Sequence, residues 1–324
     1  MRWMQNPMKV IFVLLLSVLM VECTTSQTTE NLHCEDMNTC ETFVAVCAVM
    51  KNEHYFMVEW LRYHVSVGFG KFYVFDNYSD PPLSEIPEVR SFLDKGILTF
   101  NPVQDFSPFS SPQSYAYNKC LEMYGHQHVF MLFIDADEFV VIDERMRSTY
   151  PDITSVLSQF KQHGALKVHW KLFGSSGYEF HSGQPTSVLA RYTRFIPQEE
   201  MERMPDFIAS PEGHMKMFVH TKYVVPGSCD PHGCAVEADV VKSNHEALTM
   251  ESALQVSWDV LSIHHYVTKS YEDFRSKISR GSAHSMYVRH LPGKTMQYFG
   301  YIDSKCHGEF KLGKMLNDAC CQGH

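Results

Sequence analysis

Unbroken apolar runs alternate along this chain with amphipathic stretches. Phe43 to Met50 carries no charged or strongly polar side chain, which is how a strand buried on both faces of a parallel sheet reads. Behind it Phe56, Trp60, Leu61, His64 and Val65 recur at helical spacing and leave Glu59 and Arg62 for the other face, predicting a helix over 54–67. Gly68-Phe69-Gly70 ends that helix. Lys71 to Phe75 then forms a second strand, closed by the turn formers between Asp76 and Pro82. This is a βαβ unit. The alternation continues with a short helix over 86–94, a strand at 96–100 and a helix over 113–124. An apolar strand from Val129 to Ile134 comes next, running into Asp135-Ala136-Asp137, and then a helix over 151–163 and a strand at 165–173. After Gly174 the texture changes to more Gly, Pro and isolated short strands. The fold class is α/β, with a mainly parallel sheet flanked by helices in a single domain.

Chemistry is expected where the strands end, because open α/β sheets hold ligands at their carboxyl edge. Asn52 and Glu53 close the first strand. Asp76 closes the second, placed to accept from a nucleotide's ribose hydroxyls or base. Asp135 and Asp137 sit at i and i+2 just past the buried strand, and carboxylates there suit a hard divalent cation such as Mn²⁺ or Mg²⁺. Alone the tripeptide is weak, since paired aspartates also cap helices and form turns. Its position after a buried strand, with a βαβ unit upstream, favours the metal reading. Neither GxGxxG nor GxxxxGK[ST] occurs, so the common glycine-rich phosphate loops are absent.

Composition narrows the partners. The 324 residues carry a formal charge of −9 and no long basic run, so nucleic acid is not a favoured partner. Arg2 and Lys9 precede an apolar stretch from Val10 to Val21. As a helix it covers about 18 Å, short of the roughly 30 Å hydrocarbon core. Residues 1–23 therefore read as a signal peptide or short signal anchor, and 24–40 as an exposed stem, leading the rest into the secretory pathway, either secreted or anchored in the Golgi lumen. Ten cysteines fit an oxidising compartment. Cys47 and Cys120 read as buried thiols. Cys34/Cys40, Cys229/Cys234 and Cys306 with Cys320 or Cys321 can close short loops, and no CxxC favours structural zinc. Asn77-Tyr78-Ser79 is a glycosylation sequon, but it follows Asp76 directly, where a glycan would crowd the strand end.

Several segments, taken in order, resemble glycosyltransferase family 92, a galactosyltransferase-containing group, and more loosely the family 2-like transferases. They are Lys51-Asn52-Glu53, Glu59-Trp60-Leu61-x-Tyr63-His64, Phe75-Asp76-Asn77-x-Ser79, Phe133 to Phe139, Trp170-x-x-Phe173-Gly174-Ser175-Ser176-Gly177, Pro231-His232-Gly233 and Ile263-x-His265-Tyr266-x-x-Lys269-Ser270. The resemblance spans roughly 43–282, within a catalytic domain drawn at 41–300 with a Cys-containing tail at 301–324. Tyr178 stands where the family carries a histidine. The resemblance implies a GT-A-like fold, a UDP-sugar donor, galactose as the sugar, a glycan acceptor and inversion at the anomeric carbon. It implies Asp137 as the catalytic metal ligand, Asp135 on the ribose or the metal, and His265 as a further ligand, with His232 a second candidate. Asn52, Glu53, Asp76, Asp135 and Lys269 become donor-binding residues. Lys277 and Arg280, with Lys269 on one helix, are cations that can face a diphosphate. Inversion needs a general base, for which Glu179, Asp206, Glu212 and Asp230 stand in the acceptor-binding half. The competing readings are an inactive secreted carbohydrate-binding protein of the same fold and, more remotely, a DxD phosphatase.

Overall fold

The computed structural model describes residues 42–103, 111–182, 187–280 and 296–311. The expected signal segment, the stem, Cys34/Cys40, Cys320 and Cys321 lie outside these residues. Among the described residues no helix is long and apolar enough to cross a membrane. The strands are β1 (Thr42–Met50), β2 (Lys71–Asp76), β3 (Leu98–Pro102), β4 (His128–Phe133), β5 (Glu138–Ile142), β6 (Ala165–Leu172), β7 (Arg194–Phe195), β8 (Met215–His220), β9 (Val240–Lys242), β10 (Leu261–His265) and β11 (Gly308–Glu309). The helices are α1 (Met57–Ser66), α2 (Arg90–Asp94), α3 (Pro112–Tyr124), α4 (Ile153–Leu157), α5 (Val188–Arg191), α6 (Gln198–Met201), α7 (Pro205–Ala209), α8 (Met250–Ala253), α9 (Tyr271–Arg280) and α10 (Met296–Lys305).

The main sheet has the order β3-β2-β1-β4-β8-β6-β10-β5, with β9 joined to β6. Its pairs β1/β2, β1/β4, β2/β3, β6/β10 and β6/β9 are parallel. Strand β8 runs antiparallel to β4 and β6, and β5 antiparallel to β10. The sheet is thus mixed and mainly parallel, as the alternation of apolar runs predicts.

The alternation of side chains along β1 explains why it lacks a polar face. Val44, Val46 and Ala48 pack with Trp60 and Leu61 of α1. Ala45, Cys47 and Val49 pack on the opposite face with Ala116, Tyr117 and Cys120 of α3. Cys47 and Cys120 are buried free thiols, as expected. Gly68 stops α1 at φ +102, and a Cβ there would meet Asp152 Cβ at 2.9 Å, so two demands select glycine.

Helix α1 also holds the strand that leaves the DxD. Trp60 Nε1 donates to the Glu138 carbonyl at 2.9 Å, and Tyr63 Oη to the Val140 carbonyl at 2.8 Å. His64 donates through Nδ1 to the Trp60 carbonyl at 2.8 Å, and its Nε2 accepts from the Val140 amide at 3.3 Å. The Trp-x-x-Tyr-His pattern is therefore a clamp on β5. Burial holds His64 neutral, its pKa pushed down to about 3. Burial lowers His169 to about 4 and His264 well below its ordinary value.

These histidines set an acid limit. Each binds its proton less readily folded than unfolded, so its contribution to stability is present above about pH 6.5 and is lost as pH falls toward the folded value. One group contributes a slope of at most about 1.4 kcal/mol per pH unit. Urea midpoints are expected to fall between pH 7 and pH 5, with His64→Gln showing the shallower slope. A midpoint unchanged over that range contradicts this reading.

Several expectations need correction. Strand β5 is not among the elements expected from the sequence; it pairs antiparallel with β10, and the clamp from α1 holds its other edge. The helix expected at 151–163 is α4 plus a 3-10 turn at Ser158–Phe160, opened by a capping box between Asp152 and Ser155. Glu59, expected on the outward face of α1, accepts from Ser187 Oγ at 2.7 Å and the Val188 amide at 2.9 Å and so docks α5. Lys269 precedes α9 instead of lying on it, at φ +54. Cys306 is a buried free thiol, and its expected partners Cys320 and Cys321 lie outside the described residues.

Candidate functional site at the carboxyl edge of the sheet

Strand β4 ends at Phe133, and the chain crosses through Asp135-Ala136-Asp137 to enter β5. Register with β10 places Glu138 opposite His265, so both strands deliver polar side chains to one point. Asp137 is 7 % exposed. Its Oδ2 lies 3.7 Å from His265 Nε2 and bonds Lys277 Nζ. Burial opposes the charge on Asp137, but Lys277 and His265 outweigh it and hold the carboxyl well below the usual range. His265 turns its Nδ1 toward Glu138 Oε1 at 3.8 Å. Glu138 is fully buried, and that burial pushes its carboxyl up to about 8.

Asp135 faces the other way. It accepts from Gln113 Nε2 at 2.8 Å and Lys216 Nζ at 3.0 Å. Lys216 also pairs with Glu138 at 3.2 Å. Burial disfavours its charge, but the two carboxylates prevail and hold the ammonium well above the ordinary lysine value. Sequence reasoning missed Lys216. Its signal was a lysine inside the apolar run Met215 to Val219, where an unpaired charge would be costly.

A cleft of about 210 Å³ opens beside Asp137, lined by Asn52, Lys269, Lys277 and Arg280 among others. Arg280 Nη2 bonds Glu53 Oε1, and Lys269 Nζ lies 3.9 Å from Glu53 Oε2. Lys269 also sits over the Phe56 ring, 3.4 Å from its centroid. The three cations and Asp137 therefore share one cleft, which is what a multiply charged anion and its counter-ion require. Among the described residues no group of three or more His, Cys, Asp or Glu side chains is gathered as a closed metal cage.

Other expected residues lie elsewhere or are already committed. Asp76 accepts from the amides of Ser79 at 3.0 Å and Leu83 at 2.9 Å, so its first task is to shape the turn after β2. Asn52 accepts through Oδ1 from the Asp80 amide at 3.0 Å. The predicted disulfide Cys229–Cys234 is formed, with α-carbons 4.0 Å apart. Asn118 of α3 bonds the Cys229 backbone at both its carbonyl and its amide. His232 is exposed on that loop, beside Gly213. Asp230 accepts from the amides of His232 and Gly233, and Glu212 is tied to the buried Lys167.

The Asn77 sequon is tied to the same edge. The Asn77 amide donates to the Met50 carbonyl at 2.8 Å, and Ser79 Oγ accepts from the Asn52 amide at 2.8 Å. A glycan would start in a turn packed against the end of β1. Asn77 is expected to remain unglycosylated in secreted protein, read as no Asn-to-Asp mass shift in its peptide after amidase treatment. Complete conversion at Asn77 would contradict this placement.

Comparison with known proteins supplies the family. A glycosyltransferase family 92 protein of Oryza sativa subsp. japonica is 27% identical over 134 residues, 41% of this chain and 22% of its own. One from Arabidopsis thaliana is 23% identical over 145 residues, 45% of this chain and 24% of its own. The aligned part thus spans about a quarter of these relatives. Staphylococcus aureus TarS in complex with UDP aligns at 16% identity and a TM-score of 0.33, over 55% of this chain and 47% of that one. A mycobacterial glucosyl-3-phosphoglycerate synthase bound to Mn²⁺ and UDP-glucose aligns at 12% and 0.29, over 56% and 58%. Scores this low carry no function across. The family 92 profile matches residues 42–286, most of the chain, and this chain belongs to glycosyltransferase family 92.

Proposed function

We propose that the protein is an inverting, metal-dependent hexosyltransferase that moves galactose from UDP-galactose to a glycan acceptor in the secretory pathway. The observation that carries the reading is Asp137: a buried carboxylate at the carboxyl edge of the sheet, facing His265 and sharing a cleft with Lys269, Lys277 and Arg280. The donor set suits a divalent metal. Asp137 and His265 offer an oxygen and a nitrogen, Glu138 stands behind the imidazole, and the Lys277 ammonium lies where a positive charge is wanted. Asp137 and His265 would hold Mn²⁺, or Mg²⁺, with diphosphate and water completing the shell.

Each side chain then has a task. The metal, when bound, supplies Lewis-acid stabilisation of the charge that develops on the leaving diphosphate. Lys269 and Arg280, gathered by Glu53, bind diphosphate oxygens. Lys277 exchanges its carboxylate partner for phosphate as the donor enters. Lys216 and Gln113 fix Asp135 so that it can meet the ribose or a ligand water. Glu138 keeps the His265 ring in register. Galactose follows from the family resemblance, and the lumenal setting from the leader-like residues 1–23 and the Cys229–Cys234 bond. Purified protein is expected to release UDP from UDP-galactose faster than from UDP-glucose or UDP-N-acetylglucosamine, in Mn²⁺ and not in excess chelator. Turnover that persists unchanged in chelator would remove the metal from the account, and equal turnover of all three donors would remove galactose.

A further inference from the structure

We propose that Asp206, steadied by His214, is the base that takes the proton from the acceptor hydroxyl. This rests on the transferase reading above and names the residue that reading leaves open. The four candidate carboxylates, Glu179, Asp206, Glu212 and Asp230, differ in what already holds them. Asp230 has Oδ1 committed to two amides of its own turn, at 2.7 and 3.1 Å. Glu212 is bonded to the buried Lys167. Glu179 lines a cavity of about 710 Å³ along α9 that shares Glu272 and Ser276 with the cationic cleft, so it lies on the side of the diphosphate-binding charges. Asp206 is half exposed, with Oδ2 3.7 Å from His214 Nε2; His214 and the amides of its own turn hold the carboxyl ionised, below the usual range, yet open to solvent. The His214 ring is held in turn by Nδ1 on the Ser210 carbonyl at 3.1 Å.

Topology puts Asp206 at the reacting edge. Strand β8 is antiparallel to β4 and β6, so α7 and the 3-10 turn Pro211–His214 that precede it arrive at the edge where β4 delivers Asp135 and Asp137. In the order β1-β4-β8, the end of β4 lies between β8 and β1, and Glu53, three residues past β1, gathers Lys269 and Arg280. Inversion places the entering oxygen opposite the departing diphosphate, hence on the β8 side. A chain of ring contacts joins the two ends. His214 packs on Trp170 at 5.5 Å between centroids, Trp170 on His265 at 4.5 Å, and His265 faces Asp137. Tyr298 lies in the field of both aspartates: burial pushes its hydroxyl up, and the charges of Asp206 and Asp137 add to the shift.

The step balances without further reactants. The acceptor oxygen forms a bond to the anomeric carbon as the bond from that carbon to the diphosphate oxygen breaks. The electron pair leaves on the diphosphate, and the hydroxyl proton passes to the Asp206 carboxylate.

The test uses the full chain, Mn²⁺ and UDP-galactose, with water and then azide as the nucleophile. Asp206→Ala is expected to bind UDP as wild type does and to release UDP in water roughly 10²-fold or more slowly. Azide has no proton to lose, so it should restore release and yield β-galactosyl azide. Asp206→Ala that keeps wild-type hydrolysis, or whose loss azide does not repair while UDP binding is intact, overturns the assignment. Wild-type protein that neither binds UDP nor releases it from UDP-galactose overturns the transferase reading, and this inference with it.

Discussion

Asp137→Asn is expected to abolish metal-dependent release of UDP from UDP-galactose, by at least ~10³-fold, while the protein stays folded. The amide keeps the shape of the side chain but removes the charge that a cation needs. The Asp137 side chain is engaged by charged groups, Lys277, His265 and Lys269. Its folded pKa is depressed, so the pairing contributes stability above the ordinary carboxylate range, and the variant forfeits that contribution at neutral pH. The loss is limited because the Lys277 side chain is 24 % exposed and can return to water. A melting temperature within a few degrees of wild type, together with lost turnover, identifies a functional carboxylate. Equal loss of fold and turnover would make Asp137 structural.

Lys216→Met is expected to be the most destabilising single change near the site. Lys216 is 4 % exposed and holds two carboxylates, Asp135 at 3.0 Å and Glu138 at 3.2 Å. Removing one partner of a buried ionic group costs on the order of 3–5 kcal/mol, because the acidic groups left behind stay desolvated without their counter-charge. At roughly 2–4 °C per kcal/mol for a domain of this size, the melting temperature should fall by about 10 °C. Lys216→Met with Glu138→Leu should recover much of that loss, since an apolar pair leaves less charge buried. A fall of under about 2 °C in the single variant would show that the triad does not hold this part of the fold. The same triad explains why the pH response has two opposing parts. Glu138 has a raised folded pKa, so its contribution is present below about 4.5 and declines as pH rises toward about 8. The buried neutral histidines act in the other direction and, being three, outweigh it between roughly pH 4.5 and 6.5.

Legibility in the chain came from burial on two faces. The interiors of β1, β2 and β4 are apolar without interruption because both faces of the sheet are covered there, and that made the βαβ unit and the position of the DxD readable. The DxD itself was readable because polarity returns abruptly at Asp135. Strand β5 was not, since a few apolar residues after a motif carry no period; it is a strand because it pairs antiparallel with β10, and Trp60, Tyr63 and His64 of α1 bind its backbone at the sheet's edge. Contacts across long sequence separations were also hidden. Lys216 on Asp135 and Lys277 on Asp137 join residues 81 and 140 positions apart, and no local pattern encodes them. Glu59 looked like a solvent-facing helix residue because its partners Ser187 and Val188 lie within the Gly- and Pro-richer stretch after Gly174, where periodicity is lost. Asp76 had the right place but a local duty: a short aspartate at a strand end first satisfies the amides of its own turn.

The central claim is that Asp137 and His265 hold a metal that carries UDP. Crystals soaked with Mn²⁺ and UDP, with data collected at a wavelength where manganese scatters anomalously, test it most directly. The account predicts one manganese peak at about 2.1–2.2 Å from Asp137 and His265, the diphosphate against Lys269 and Arg280, and Lys277 drawn off Asp137. A manganese or UDP site away from Asp137, or UDP bound in the cleft with Lys277 still paired to Asp137 and no metal peak, would contradict it.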